Sequence, residues 1–360
     1  MNLVGVSQWS IDPISDIEKI CSLQHIENID KFVLYGQTEW SPFIGPCFKP
    51  LLKLADSYNK KLTAISGAYK IFNTPFTDKV DYEYSPTFFL VYTFTNLYYN
   101  NQYINDYISN MNINEFKYNL ISYNNQSHPH RCELIDLLYK NGLFEKNLIS
   151  WHHSNFNNLY NKAKNSPYNS PYDFKYWTPK KMLLDDNYEH TKNQSYLSKS
   201  YFQSFAQLVS EATENAIFLT EKTAYPLFLK KPFLVATAPG FHSFLQSLGL
   251  KLYDEIFNYD FDTIMDRTER YERLLENFSK LKNLNLTELY EMVKDKLEFN
   301  RLRAVEIATN LNFLSKTLIE TINLQTLHKR TIDPLSYSVI NQSLPAAIDT
   351  YTIMQGKNKY

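Results

Sequence analysis

Glycine is scarce in this chain, at 8 of 360 residues. Cysteine is scarcer: Cys21, Cys47 and Cys132 stand far apart. Three dispersed thiols make neither a disulfide framework nor the paired spacing of a zinc site, and they suit a reducing compartment. Neither charge sign is in excess, with 37 Lys and Arg against 38 Asp and Glu. No global positive field therefore draws the chain to nucleic acid or to an anionic membrane. Nucleic acid stays open as a partner but is not indicated by charge. Long apolar runs are missing too. The most apolar stretches, Pro86 to Phe94 and Pro232 to Ala238, fall well short of the roughly 20 residues needed to cross a bilayer. Met1 to Ser10 has no basic start and no long apolar centre, so it does not read as a signal peptide. The expectation is a cytoplasmic protein with no membrane partner.

Aromatic residues are abundant, with 28 Tyr and 24 Phe. An AT-rich genome explains them without function; platforms for sugars or bases are the functional alternative. A hydrophobic content of 44% is that of a globular chain, and the length suits two ordinary domains.

The first hundred residues alternate between strand-like and helix-like segments. Leu3–Val6, Phe32–Tyr35 and Leu62–Ile65 are short apolar runs that predict buried strands. Asp12–Cys21 carries Ile14, Ile17 and Ile20 at helical spacing, and Phe48–Tyr58 carries Leu51, Leu52 and Ala55. Phe88–Phe94 reads as a further β-rich run. Such alternation predicts parallel βαβ units. The polar, Asn-rich stretch Asn100–Asn114 predicts a domain boundary. Beyond it, strands are expected at Phe116–Ser122, Leu148–Trp151 and Phe233–Ala236. Helices are expected at Pro129–Asn141, stopped by Gly142, and at His242–Leu248, stopped by Gly249.

His153–Phe202 has weak periodicity, and loops of that length are often functional or mobile. From about Asp262 to Leu327 the chain reads as helical and charged. The expected division is 1–110, 111–262, a helical segment 263–330 and a tail 331–360.

Two segments carry candidate chemistry. The first is Ser122-Tyr-Asn-Asn-Gln-Ser-His-Pro-His-Arg131, where a strand passes into a helix. A helix start offers free N–H groups to an anion, and Arg131 adds a fork suited to phosphate oxygens. The plain alternative is that Asn124, Asn125 and Ser127 build a turn and a cap. The second is Glu211, followed by Phe218-Leu-Thr-Glu-Lys222 and Lys231-Pro-Phe-Leu-Val235. Glu221 can accept from vicinal ribose hydroxyls, and Lys222 can meet a diphosphate as a point charge. The plain alternative is a cap led by Thr220 with an exposed Glu-Lys pair.

Together these residues resemble the donor-binding half of the fucosyltransferase family that uses GDP-fucose. That family has a strand ending in Ser-Asn, a loop and an Arg opening a helix; Ser122, Asn124 and Arg131 stand in that order. Its Phe-Glu-Asn-Ser element and Tyr-Val-Thr-Glu-Lys segment correspond to Val209-Ser-Glu211-Ala-Thr213 and Phe218-Leu-Thr220-Glu221-Lys222. The chain is also similar to phage and giant-virus proteins with a Thr-Glu-Lys-Thr segment and a Lys-Pro-Phe strand. The resemblance covers roughly Lys117 to Asp262. Ser210-Glu211-Ala212 departs from Phe-Glu-Asn, and the His128-Pro-His130 loop is not typical, which leaves base and sugar open.

The resemblance implies an α/β fold of GT-B type, with two Rossmann-like domains facing a cleft. It implies a metal-independent glycosyltransferase that moves a sugar from a nucleoside diphosphate sugar to a carbohydrate or other hydroxyl acceptor. No cofactor is expected. Ser122, Asn124, Arg131, Thr220, Glu221 and Lys222 would bind the donor. Glu211 would orient the sugar or the neighbouring loop. Glu39, with Asp12 and Asp81 ranked below it, would be the catalytic base if the enzyme inverts; a plain surface Glu is the alternative. Two other readings stand beside this one: an inactive nucleotide-binding or structural viral protein, and a transferase acting on modified bases of phage DNA. A viral origin would make the compartment the host cytoplasm. Asp260-Phe-Asp262 has the DxD form of metal-dependent transferases, but a helix cap is the expected role. His128, His130, His152 and His153 lack Cys or carboxylates at ligand spacing, so no metal site is expected.

Overall fold

The computed structural model describes residues 3–7, 18, 20, 26–36, 47–71, 78–87, 89–90, 93–94, 116–124, 128–151, 172–180, 182, 199–310 and 313–317. The chain is α/β and groups into two compact units. The first holds Met1–Thr95, Asn215–Glu221 and Val305–Tyr360; the second holds Asn96–Glu214 and Lys222–Ala304.

In the first unit, β1 (Leu3–Ser7), β2 (Lys31–Gly36), β3 (Leu62–Ser66) and β5 (Val80–Tyr84) form a parallel sheet in the order β1-β2-β3-β5. A short antiparallel pair joins β4 (Lys70–Ile71) to β9 (Ala216–Ile217). Helix α1 (Phe48–Ser57) buries Phe48, Leu51 and Ala55. These pack with Phe32, Leu34, Leu62, Ala64 and Val80 of the strands in one apolar core. The spacing of the three helical residues puts them on one face, which is why this segment is helical rather than extended.

The segment expected as a strand at Phe88–Phe94 is helical where it is described, at residues 89–90 and 93–94. Phe89, Leu90, Thr93 and Phe94 are buried. Their spacing is that of a helix face, which a short apolar run does not reveal by itself. Most of the helix expected at Asp12–Cys21 and all of Asn100–Asn114 lie outside the described residues.

In the second unit, β6 (Tyr118–Ser122), β7 (Leu148–Ile149), β8 (Ser204–Ser210) and β10 (Phe233–Ala236) are parallel, in the order β10-β8-β6-β7. All seven residues of β8 are buried, as a central parallel strand requires. Helix α2 (Pro129–Lys140) follows β6, α3 (Lys199–Phe202) precedes β8, and α4 (Glu221–Phe228) follows β9. Helix α5 (Phe241–Ser247) is followed by Gly249 at φ 84°, where an added Cβ would stand 3.0 Å from Arg303 Nε. Helices α6 (Arg267–Lys280) and α7 (Leu286–Thr309) follow, α7 grouping with the second unit as far as Ala304.

The two sheets differ in one respect that matters for function. Strand order in the first unit follows the chain. In the second, the chain goes from β6 to β7 on one side, then returns to place β8 on the other. Open parallel sheets bind ligands in the crevice that such a reversal forms, which here falls at the carboxyl ends of β6 and β8.

Candidate functional site

The crevice is built from the ends of β6 and β8 and the first turn of α2. Ser122 and Asn124 are both fully buried. Asn124 Nδ2 donates to Ser122 Oγ at 3.1 Å, and its backbone N–H donates to Ser150 Oγ at 3.0 Å. The chain after β6 is therefore tied to the end of β7. Pro129 opens α2, where its missing N–H costs nothing. Asn125 and Ser127 lie outside the described residues.

Arg131 is buried, and its guanidinium is turned onto main chain. Nη2 donates to the Glu211 carbonyl at 2.9 Å and to the Ser210 carbonyl at 3.4 Å, and Nε donates to the Glu211 carbonyl at 3.3 Å. His130 Nε2 lies 3.0 Å from the same Glu211 carbonyl. A carbonyl only accepts, so Nε2 carries the proton. Glu211 is fully buried. Its carboxylate accepts from Thr223 Oγ1 at 2.5 Å and from the Ala212 N–H at 3.2 Å. Thr223, in the first turn of α4, is the last residue of the Thr220-Glu-Lys-Thr223 segment.

His128 stacks on His130, with ring centroids 5.7 Å apart and planes at 8°. Burial, then the charges of Arg131 and Lys222, pull its pKa down to about 4. His130 is held well below the ordinary histidine range by burial and by Arg131. Both rings are neutral at pH 7.

Thr220 is buried and Glu221 half-buried, and both group with the first unit, whereas Lys222 groups with the second. Glu39 and Asp12 lie outside the described residues, as do His152 and His153. Asp81 is exposed and paired with Lys61 at 3.1 Å.

The Asp260-Phe-Asp262 motif resolves as structure. Asp262 accepts from the backbone N–H groups of His242 and Ser243, from Ser243 Oγ and from His242 Nδ1, all at 2.9–3.0 Å. It caps the start of α5, a helix earlier in the chain. Among the described residues no group of three His, Cys, Asp or Glu side chains is arranged to hold a metal ion. Among the same residues no helix is long and apolar enough to cross a membrane.

Beside the crevice, Arg267 bridges Glu133 and Glu214, and Thr268 donates to Glu133. Asp136, fully buried, accepts from Tyr172 OH and from the backbone N–H groups of Lys175, Tyr176 and Trp177 at 2.8–3.0 Å. Neither cluster has a local sequence signature, because each joins residues far apart in the chain. No family model, curated protein or solved structure matches this chain.

Proposed function

We propose that the chain is a metal-independent glycosyltransferase of GT-B type that binds a nucleoside diphosphate sugar at the β6–β8 crevice of its second unit. The supporting observation is that Glu211 joins the first turns of α2 and α4, its carbonyl accepting from Arg131 at 2.9 Å and its carboxylate from Thr223 at 2.5 Å, so that Arg131 and Lys222, 91 positions apart, belong to neighbouring helix starts. Two positive charges converging beside a helix start suit a diphosphate. As the bond to the sugar breaks, negative charge grows on the leaving diphosphate, and fixed positive charge there lowers the barrier. In this reading Lys222 faces the diphosphate. Arg131 adds its charge while holding the end of β8 in place, and Glu211 braces the start of α4 through Thr223.

The test is a thermal-shift and calorimetric titration of the full chain with UDP-glucose, UDP-N-acetylglucosamine, GDP-fucose and ADP-glucose, with EDTA present. Stabilisation by one of them, lost in Lys222→Ala, is the expected result. If none binds at millimolar concentration, the reading fails.

A further inference from the structure

The Lys231-Pro-Phe-Leu-Val235 segment leads into β10, and its lysine has no part in the site above. Lys231 is only 5% exposed. Its ammonium donates to the Ser204 carbonyl and, at 3.2 Å, to Ser204 Oγ, at the start of β8. It also stands 4.7 Å from the centre of the Tyr201 ring in α3. No carboxylate pairs with it among the described residues. Glu298 of α7 pairs instead with the adjacent Lys230, at 3.6 Å, and with Arg301. The other titratable groups about it are phenols: Tyr201 itself, and Tyr290 of α7, whose hydroxyl donates to the Lys230 carbonyl at 3.1 Å. A buried charge without a counter-ion favours its neutral form, and burial pulls this amine down to about 7. Tyr201 is itself buried, and its hydroxyl donates to Gln207 Oε1 at 2.9 Å. Its ring stacks on Tyr123, with centroids 6.3 Å apart and planes at 14°. Tyr123 lies between Ser122 and Asn124, at the crevice end of β6. One ring therefore connects the amine at the start of β8 with the far end of β6.

We propose that Lys231 is a proton-controlled support for Tyr201 and, through it, for Tyr123 at the edge of the crevice. While charged, the ammonium attracts the face of the ring and makes a charge-assisted bond to the Ser204 carbonyl. Once neutral, the amine loses the first and weakens the second. Tyr201 is then held at its hydroxyl end by Gln207 and released at its face, and the ring stacked on it shifts with it. The unfolded lysine keeps its proton up to the ordinary 10.5, whereas the folded one gives it up near 7. The unfolded chain binds more protons between those values, so this residue makes stability rise with pH across that window. The support acts whichever ligand the crevice takes.

The test is NMR of the full chain, without nucleotide, labelled at tyrosine rings and lysine Cε and titrated from about pH 5 up to 10.5. One lysine signal and the ring signals of Tyr201 and Tyr123 should shift together, with a midpoint near 7. Lys231→Met should abolish all three transitions and flatten the rise of the melting temperature over the same range. Ring signals that stay put while the lysine titrates overturn the support. A full set of lysines titrating near 10.5 overturns the switch. A ring transition that survives in Lys231→Met belongs to another group and overturns both. Should Lys231→Met fail to fold, Lys231→Arg serves in its place: it stays charged throughout and must likewise lose the transition. Should neither variant fold, the parent decides, since a midpoint shared by the lysine and both rings supports the coupling and separate midpoints overturn it.

Discussion

The guanidinium of Arg131 is anchored on the main chain of Glu211, with Nη2 and Nε both donating to one carbonyl oxygen at 2.9 and 3.3 Å. Lysine keeps the charge but cannot reproduce this fork. Arg131→Lys is expected to cost about 2 kcal/mol of stability, because buried carbonyls lose charged donors. Urea denaturation measures it. An unchanged midpoint would show that the clamp contributes nothing.

Lys222 is half-buried at the start of α4. Lys222→Ala should leave the melting temperature without nucleotide nearly as it is, since a partly exposed lysine contributes little. It should lose the added stabilisation that the best nucleotide gives the parent. In single-turnover transfer the loss should be on the order of a hundredfold. Equal gains from nucleotide in variant and parent would remove Lys222 from the site.

His128 has a folded pKa of about 4, below its ordinary 6.5. Between those values the unfolded chain binds more protons, so this residue makes stability rise with pH across that window. His128→Asn should therefore flatten the melting profile between pH 6.5 and about 4. Lys222→Ala should move the same titration upward, which NMR of the ring reads directly.

In the first unit, Glu83 accepts from Lys31, Ser315 and Thr317 at 2.7–2.9 Å. Burial pushes its carboxyl upward, but these three bonds and the Lys31 charge outweigh burial and hold it below the usual range. The stability they give is present above the ordinary carboxylate pKa and lost as pH falls through the lowered one. Glu83→Gln should lower the melting temperature at pH 7 by an amount equivalent to about 1 kcal/mol. The difference should shrink in acid, below the ordinary carboxylate range. A gap that persists there would assign the effect to packing.

Much of the sheet is legible in the sequence because buried parallel strands are short apolar runs. Phe32–Tyr35, Leu62–Ile65 and Phe233–Ala236 all lie within strands. Strand β5 is not legible: Val80-Asp-Tyr-Glu-Tyr84 is half polar, as befits a strand paired with only one described neighbour. The helical residues of Phe88–Phe94 read as a strand because apolar residues packed so closely in sequence fit either period. At the site, the Ser122–Arg131 turn is visible from strand and helix signals. The clamp from Arg131 to Glu211 and the bond from Thr223 to Glu211 are not, since they depend on which elements become neighbours.

Strand β8 sits beside β6 although β7 intervenes in the chain. The walls of the crevice are thus brought together only after a long loop closes, which makes their meeting slow in folding. A ligand gripping both walls would act as a cross-link over that loop, so its binding should be felt as slower unfolding of the whole second unit.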